Sequence, residues 1–118
     1  MVNKWEIYFC SLDPTVGSEQ KGSRPVLVIS SNHINHNIPV STVIPLSAFR
    51  ETDKLYPTEL VLHKDITNLP KTSVAMVQQI RTVSHERLSK LAGKIDDEKT
   101  KSKLLDILID YFDIKKLF

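Results

Sequence analysis

The chain has 118 residues, of which 41% are hydrophobic and 25% charged, with a formal charge of +2 and a pI of about 8.7. That size and apolar content suit one domain with a core of its own and lie outside the range of disordered chains. The small basic excess permits a localised phosphate-binding face and argues against a surface that coats nucleic acid duplexes.

Trp5 to Cys10 mixes aromatic and β-branched residues and reads as a first strand. Cys10 is the only cysteine, which excludes an intrachain disulfide and a cysteine-rich zinc site. Asp13-Pro14 stops the strand. From Thr15 to Ser23, Gly17 and Gly22 flank Glu19, Gln20 and Lys21, a mobile or specially folded loop because glycine reaches backbone angles closed to other residues. Pro25 to Ser30 is nearly continuous in apolar residues and reads as a strand buried on both sides, with its proline at the first position.

Asn32 to Asn37, with His33 and His36, forms a polar connection, and Val40 to Leu46 reads as a third strand ending near Pro45. A second polar segment runs from Arg50 to Tyr56. Glu59 to His63 suggests a half-exposed strand, Ser73 to Val77 a core strand, and Gln78 to Val83 a continuation of the sheet. Ser84 is expected to cap a short helix that contains Leu88 and Leu91 and ends at Gly93. Asp96 is expected to cap the last helix, with Asp97 and Glu98 in its first turn. There Leu104, Leu108 and Tyr111, flanked by Leu105, Ile109 and Phe112, form an apolar stripe that packs on the sheet or on a partner subunit.

Short strands with irregular connections and one substantial terminal helix predict a single domain over residues 1–118. Its class is mainly β with α additions: a compact, mostly antiparallel barrel with a C-terminal helix. The early strands are not separated by the roughly 10–15-residue helical patterns of βαβ units. No run approaches the roughly 18 apolar residues of a membrane span, and no apolar leader with a small-residue cleavage site stands at the start. A cytoplasmic protein without membrane contact is the expectation. His33, His36, His63 and His85 lack metal-ligand spacing and no GxxxxGK[ST] loop occurs, so no metal or nucleotide cofactor is expected.

The run Gly17-Ser18-Glu19-Gln20-Lys21-Gly22-Ser23-Arg24-Pro25-Val26-Leu27-Val28-Ile29-Ser30, followed by Gln79-Ile80-Arg81-Thr82, resembles the MazF/PemK (Kid) family of toxin endoribonucleases. The likeness extends through Pro39 to Ser47, Ser73 to Val77 and Arg87-Leu88 into the terminal helix. The resemblance implies an SH3-like barrel with appended helices and a homodimer whose interface helps wall an RNA groove. It also implies sequence-selective cleavage of single-stranded RNA and inhibition by a cognate antitoxin with a flexible segment. Arg24 matches the family's catalytic arginine, Glu19 the acidic residue of the adjoining loop, and Ser47 a position where many relatives carry threonine. Gln78 stands where several relatives have glutamate.

RNA carries its own nucleophile, the 2′-hydroxyl beside the scissile phosphate. Aligning that oxygen and stabilising the charge that builds on phosphorus needs neither a protein nucleophile nor a metal. The fork of Arg24 suits two phosphate oxygens, and Pro25 biases it toward an extended conformation; an ion pair with Glu19 or plain phosphate anchoring are its other roles. Glu19 is either a general base, if a closed loop desolvates it, or a loop carboxylate that positions Arg24. Ser47 either donates to a nonbridging oxygen or merely ends its strand. Gly17, Gln20, Lys21, Gly22, Gln79 and Arg81 are candidate RNA contacts, with Arg50 and Lys54 available to attract phosphates. Two other functions stay open: a non-enzymatic toxin of the same fold that binds a topoisomerase, and a weak enzyme retained for antitoxin binding.

Overall fold

The computed structural model describes residues 1–115. Its elements are β1 (Glu6–Ser11), β2 (Ser23–Val28), α1 (Asn32–Asn35), β3 (Val40–Ala48), β4 (Glu59–Leu62), α2 (Lys64–Thr67), β5 (Ser73–Met76), β6 (Arg81–Ser84), β7 (Leu88–Lys94) and α3 (Glu98–Tyr111). Every strand pairing is antiparallel, in the order β4-β5-β3-β2-β1-β7 with β6 also on β3. The class is as expected, but among the described residues the ladder ends at β4 and β7, so the anticipated barrel is a curled sheet not closed by hydrogen bonds. No helix of these residues is long and apolar enough to cross a membrane.

β3 organises the sheet. It pairs with β6 over Val40–Val43, with β2 over Val43–Pro45 and with β5 over Leu46–Ala48. Pro45 was expected to end the strand, yet the strand runs on to Ala48. A proline has no N–H for a ladder, and here it sits where β3 changes partner, the position at which the missing donor does least harm.

β2 is buried on both faces, as its apolar run predicts. Leu27 packs with Ile7, Ile44, Leu46, Leu62 and Leu104, while Val26 and Val28 face Cys10, Leu12, Val43 and Val83. Burying each such side chain contributes about 1.5–3 kcal/mol. The stripe of α3 divides: Leu104 is fully buried and Ile107 and Leu108 lean on the core, but Leu105, Ile109, Tyr111 and Phe112 are exposed.

Three local expectations fail for identifiable reasons. The polar connection after Ser31 holds the one-turn helix α1, capped by the Ser31 side chain, just as the His63 side chain caps α2. A 3-10 turn at Val77–Gln79 interrupts the strand expected over 78–83. Ser84 does cap, accepting from Glu86 N at 3.3 Å, but only a 3-10 turn at His85–Arg87, after which residues 88–94 form strand β7. In β7, Leu88 lies opposite Cys10 and Leu91 opposite Tyr8, so a bulge spaces the leucines three apart and imitates a helical period.

The cap of α3 is Asp97 rather than Asp96. Its Oδ2 accepts from Thr100 N at 3.0 Å and Thr100 Oγ1 at 2.6 Å. The Thr100 hydroxyl first, and then the Thr100 amide, hold this carboxyl below its usual range. The cap is therefore intact above the ordinary aspartate pKa and is lost as the pH falls through the lowered one.

Gly93, expected as a helix end, instead lets β7 and α2 meet. A Cβ there would lie 2.2 Å from the Thr67 carbonyl oxygen. Gly93→Ala should lower stability by about 1–3 kcal/mol, seen as a reduced urea midpoint; an unchanged midpoint would contradict this close approach.

Candidate active site

The β2–β3 register sets Val26 opposite Pro45 and Val28 opposite Val43. Continued past Val26, the same register brings Arg24 across from Ser47. Both line a cleft of about 420 Å³ whose floor is largely apolar, with Phe9, Pro25, Leu46 and Leu69, and whose polar groups include Ser73 and Lys71. Arg24 is half-buried, and its Nε donates to the Lys21 carbonyl at 2.9 Å. Among the described residues its terminal nitrogens have no partner and no carboxylate lies within 4.0 Å. The possible Arg24–Glu19 ion pair is thus not formed, and the fork stays free for an anion with paired oxygens. Ser47 Oγ makes one long bond, 3.4 Å to the Ala48 carbonyl, so its hydroxyl is available too.

Glu19 does not line this cleft. Its Oε1 accepts from Val16 N at 2.6 Å while its own N–H donates to Val16 O at 3.2 Å, a reciprocal tie within the exposed loop. With Gln20, Gln79 and Arg81 it borders a second hollow of about 160 Å³; β3 gives Pro45 to that hollow and Leu46 and Ser47 to the first.

Several residues expected to touch RNA also hold the path of the loop. Gln79 Oε1 accepts from Gln20 N at 3.1 Å and its Nε2 donates to Ser18 O at 3.0 Å. Arg81 Nη1 donates to Leu12 O at 3.0 Å. Gly17 and Gly22, with φ of 56° and 82°, supply the left-handed turns this path needs. Lys21 is exposed and serves Arg24 through its carbonyl. Arg50 pairs with Asp53 at 3.4 Å. Lys71 was missed by sequence reasoning, because only the sheet topology brings the α2–β5 connection to the cleft. Among the described residues no three His, Cys, Asp or Glu side chains gather in a way that could hold a metal ion.

Residues 3–108 match the model of the PemK-like, MazF-like toxin of type II toxin-antitoxin systems. The chain belongs to this toxin family. It is 37% identical over 98 residues to Endoribonuclease EndoA of Bacillus subtilis (strain 168), covering 83% of this chain and 84% of that protein. Its fold is shared with MazF from Deinococcus radiodurans, at a TM-score of 0.79, 18% identity and coverage of 96% and 97% of the two chains. An endoribonuclease in complex with its cognate antitoxin from a mycobacterial species is similar at a TM-score of 0.78 and 19% identity, covering 98% and 99%.

Within this MazF-like fold the departure at Gln78 has a local reason. Its Oε1 accepts from Thr58 Oγ1 at 2.8 Å and its Nε2 donates to Glu59 Oε2 at 2.9 Å. An amide serves both bonds, whereas a glutamate would set two carboxylates together. Gln79→Ala removes both ties to Ser18 and Gln20, each worth about 0.5–1.5 kcal/mol, and should speed amide hydrogen exchange over 16–20 without lowering the global melting temperature much. Unchanged exchange in that segment would show that the loop is held by other means.

Proposed function

We propose that this chain is a sequence-selective endoribonuclease toxin that cuts single-stranded mRNA in the cytoplasm without a metal. The observation that carries the reading is Arg24 with free terminal nitrogens facing the same cleft as the Ser47 hydroxyl. The name of the Bacillus relative, an endoribonuclease, supports the reaction class. In this reading Arg24 grips two nonbridging oxygens and stabilises the charge that develops on the phosphorane, and Ser47 donates to one of them. An arginine pKa above 12 makes it a poor proton donor, so charge stabilisation is its main task.

The ribose 2′-oxygen attacks phosphorus in line and the P–O5′ bond breaks, leaving a 2′,3′-cyclic phosphate and a 5′-oxygen that takes a proton from water to become a 5′-hydroxyl. Substrate rearranges the exposed loop, releasing the Glu19 carboxylate from Val16 N–H and carrying it from its own hollow to the Arg24 cleft, where it takes the 2′-hydroxyl proton. The apolar floor around Phe9, Pro25 and Leu46 receives a base ring beside the phosphate. Lys21, Lys71 and Lys54 attract the backbone, with Gly17, Gly22, Gln20, Gln79 and Arg81 shaping the loop over it. Phe9, exposed on β1 where it lines the cleft, supports a homodimer that completes the groove. A cognate antitoxin neutralises the toxin by laying an extended acidic segment over the same cations.

Purified protein in EDTA should cut a single-stranded RNA library to cyclic-phosphate ends and leave an all-DNA library intact. Intact RNA, or DNA cut equally fast, would rule the reading out. Arg24→Ala should lower turnover about a thousandfold, the scale of losing an aligned donor to a charged transition state. Glu19→Gln keeps an acceptor for Val16 but loses basicity, and should slow cleavage about a hundredfold. Turnover unchanged in that variant would reassign Glu19 to shaping the loop. Ser47→Thr should retain or raise the rate, since it keeps the donor and restrains its rotamer.

A further inference from the structure

Arg87 borders neither cleft, yet it reaches the same loop from behind. From the turn at His85–Arg87 its Nη1 donates to the Ser11 carbonyl at 3.1 Å and to the Asp13 carbonyl at 2.6 Å. Asp13 in turn uses its side chain: Oδ1 accepts from Gly22 N at 3.1 Å. Leu12 N donates to Gly22 O at 3.0 Å, so these bonds close the neck of the loop between residues 12 and 22.

The next link is decisive. The N–H held by Asp13 and the carbonyl held by Arg24 Nε belong to one peptide group, that between Lys21 and Gly22. A peptide group is planar and stiff, so fixing its N–H edge fixes its carbonyl edge. The left-handed φ of 82° at Gly22 allows the plane to present both edges in this way. A carboxylate at the N–H end and a guanidinium at the carbonyl end each polarise the amide in the same sense, which strengthens both bonds.

We propose that Arg87 and Asp13 are positioning residues that aim the Arg24 guanidinium into its cleft through the Lys21–Gly22 peptide plane. This rests on the reading of Arg24 as the phosphate-gripping group. With Nε fastened, the two terminal nitrogens point outward together as a fork. With Nε released, the long side chain samples other rotamers and the fork is misplaced, the kind of error that costs about a hundredfold when it reaches an ångström. Arg87 acts only through Arg24 and touches no substrate.

The test uses the full-length chain with Arg87→Ala, Arg87→Lys, Asp13→Ala and Asp13→Asn, each in the wild-type and in an Arg24→Lys background. Lysine keeps a cation at position 24 but has no Nε–H for the Lys21 carbonyl, so the relay there has nothing to aim. On single-stranded RNA, both alanine variants should lower kcat about tenfold or more while changing KM less than about threefold. Arg87→Lys, which still donates, and Asp13→Asn, which still accepts, should recover much of the rate. In the Arg24→Lys background the alanine changes should cost less than about twofold, because coupled residues do not add. In parallel, ¹⁵N NMR should show slow exchange of the Arg24 Nε–H in the wild type and fast exchange in both alanine variants.

Equal losses in the two backgrounds, or an Arg24 Nε–H unaffected by Arg87→Ala and Asp13→Ala, would overturn the inference. If Arg87→Ala does not fold, Asp13→Ala decides by the same readouts. If the wild type cuts no RNA, the proposed activity fails, and the exchange of the Arg24 Nε–H alone decides whether the relay exists.

Discussion

The pairing of β2 with β3 is the interaction on which the rest depends. Because Val26, Leu27 and Val28 are buried on both faces, a slip of one residue would send each side chain to the opposite layer, so the register is held firmly. That same register, run two residues beyond its last apolar pair, delivers an arginine and a serine to facing edges of one cleft. The catalytic geometry proposed for this chain is a by-product of core packing a few ångströms away.

The β1–β2 loop relies on a different kind of order. It has little apolar anchorage of its own, and Val16 in its middle is largely exposed. Side chains from outside hold it: Gln79 at its middle, Arg81 and Arg87 at its base. Polar ties of this sort give up little free energy individually, so the loop keeps one conformation without being locked into it. Such a loop can rearrange around a bound polymer while its base, and the arginine that leaves it, stay where the sheet put them.

The sequence revealed the parts whose pattern is regular. Continuous apolar residues gave β2 its two-sided burial, and the run from Gly17 to Arg24 with Gln79 to Thr82 led to the family and to the choice of Arg24 and Ser47. What it hid were non-local effects. The bulge opposite Phe9 turned a strand into an apparent helix, and the partner change at Pro45 let a strand pass a residue that ordinarily stops one. Glu19 and Arg24 are close in the chain but open onto different hollows, since β3 runs between them. Lys71 could not be singled out, and Arg87 entered only within the family likeness and without a role, because nothing local distinguishes either from a solvated surface cation.

The lone thiol of Cys10 lies behind the loop's tethers with no exposure. Burial pushes its pKa up, and the nearby Arg81 and Arg87 only partly oppose this. A thiolate is the reactive form, so the folded chain shelters its only sulfhydryl from alkylating reagents and oxidants alike. Any modification at that sulfur therefore counts the moments when strand and loop have parted, which makes the molecule its own gauge of opening.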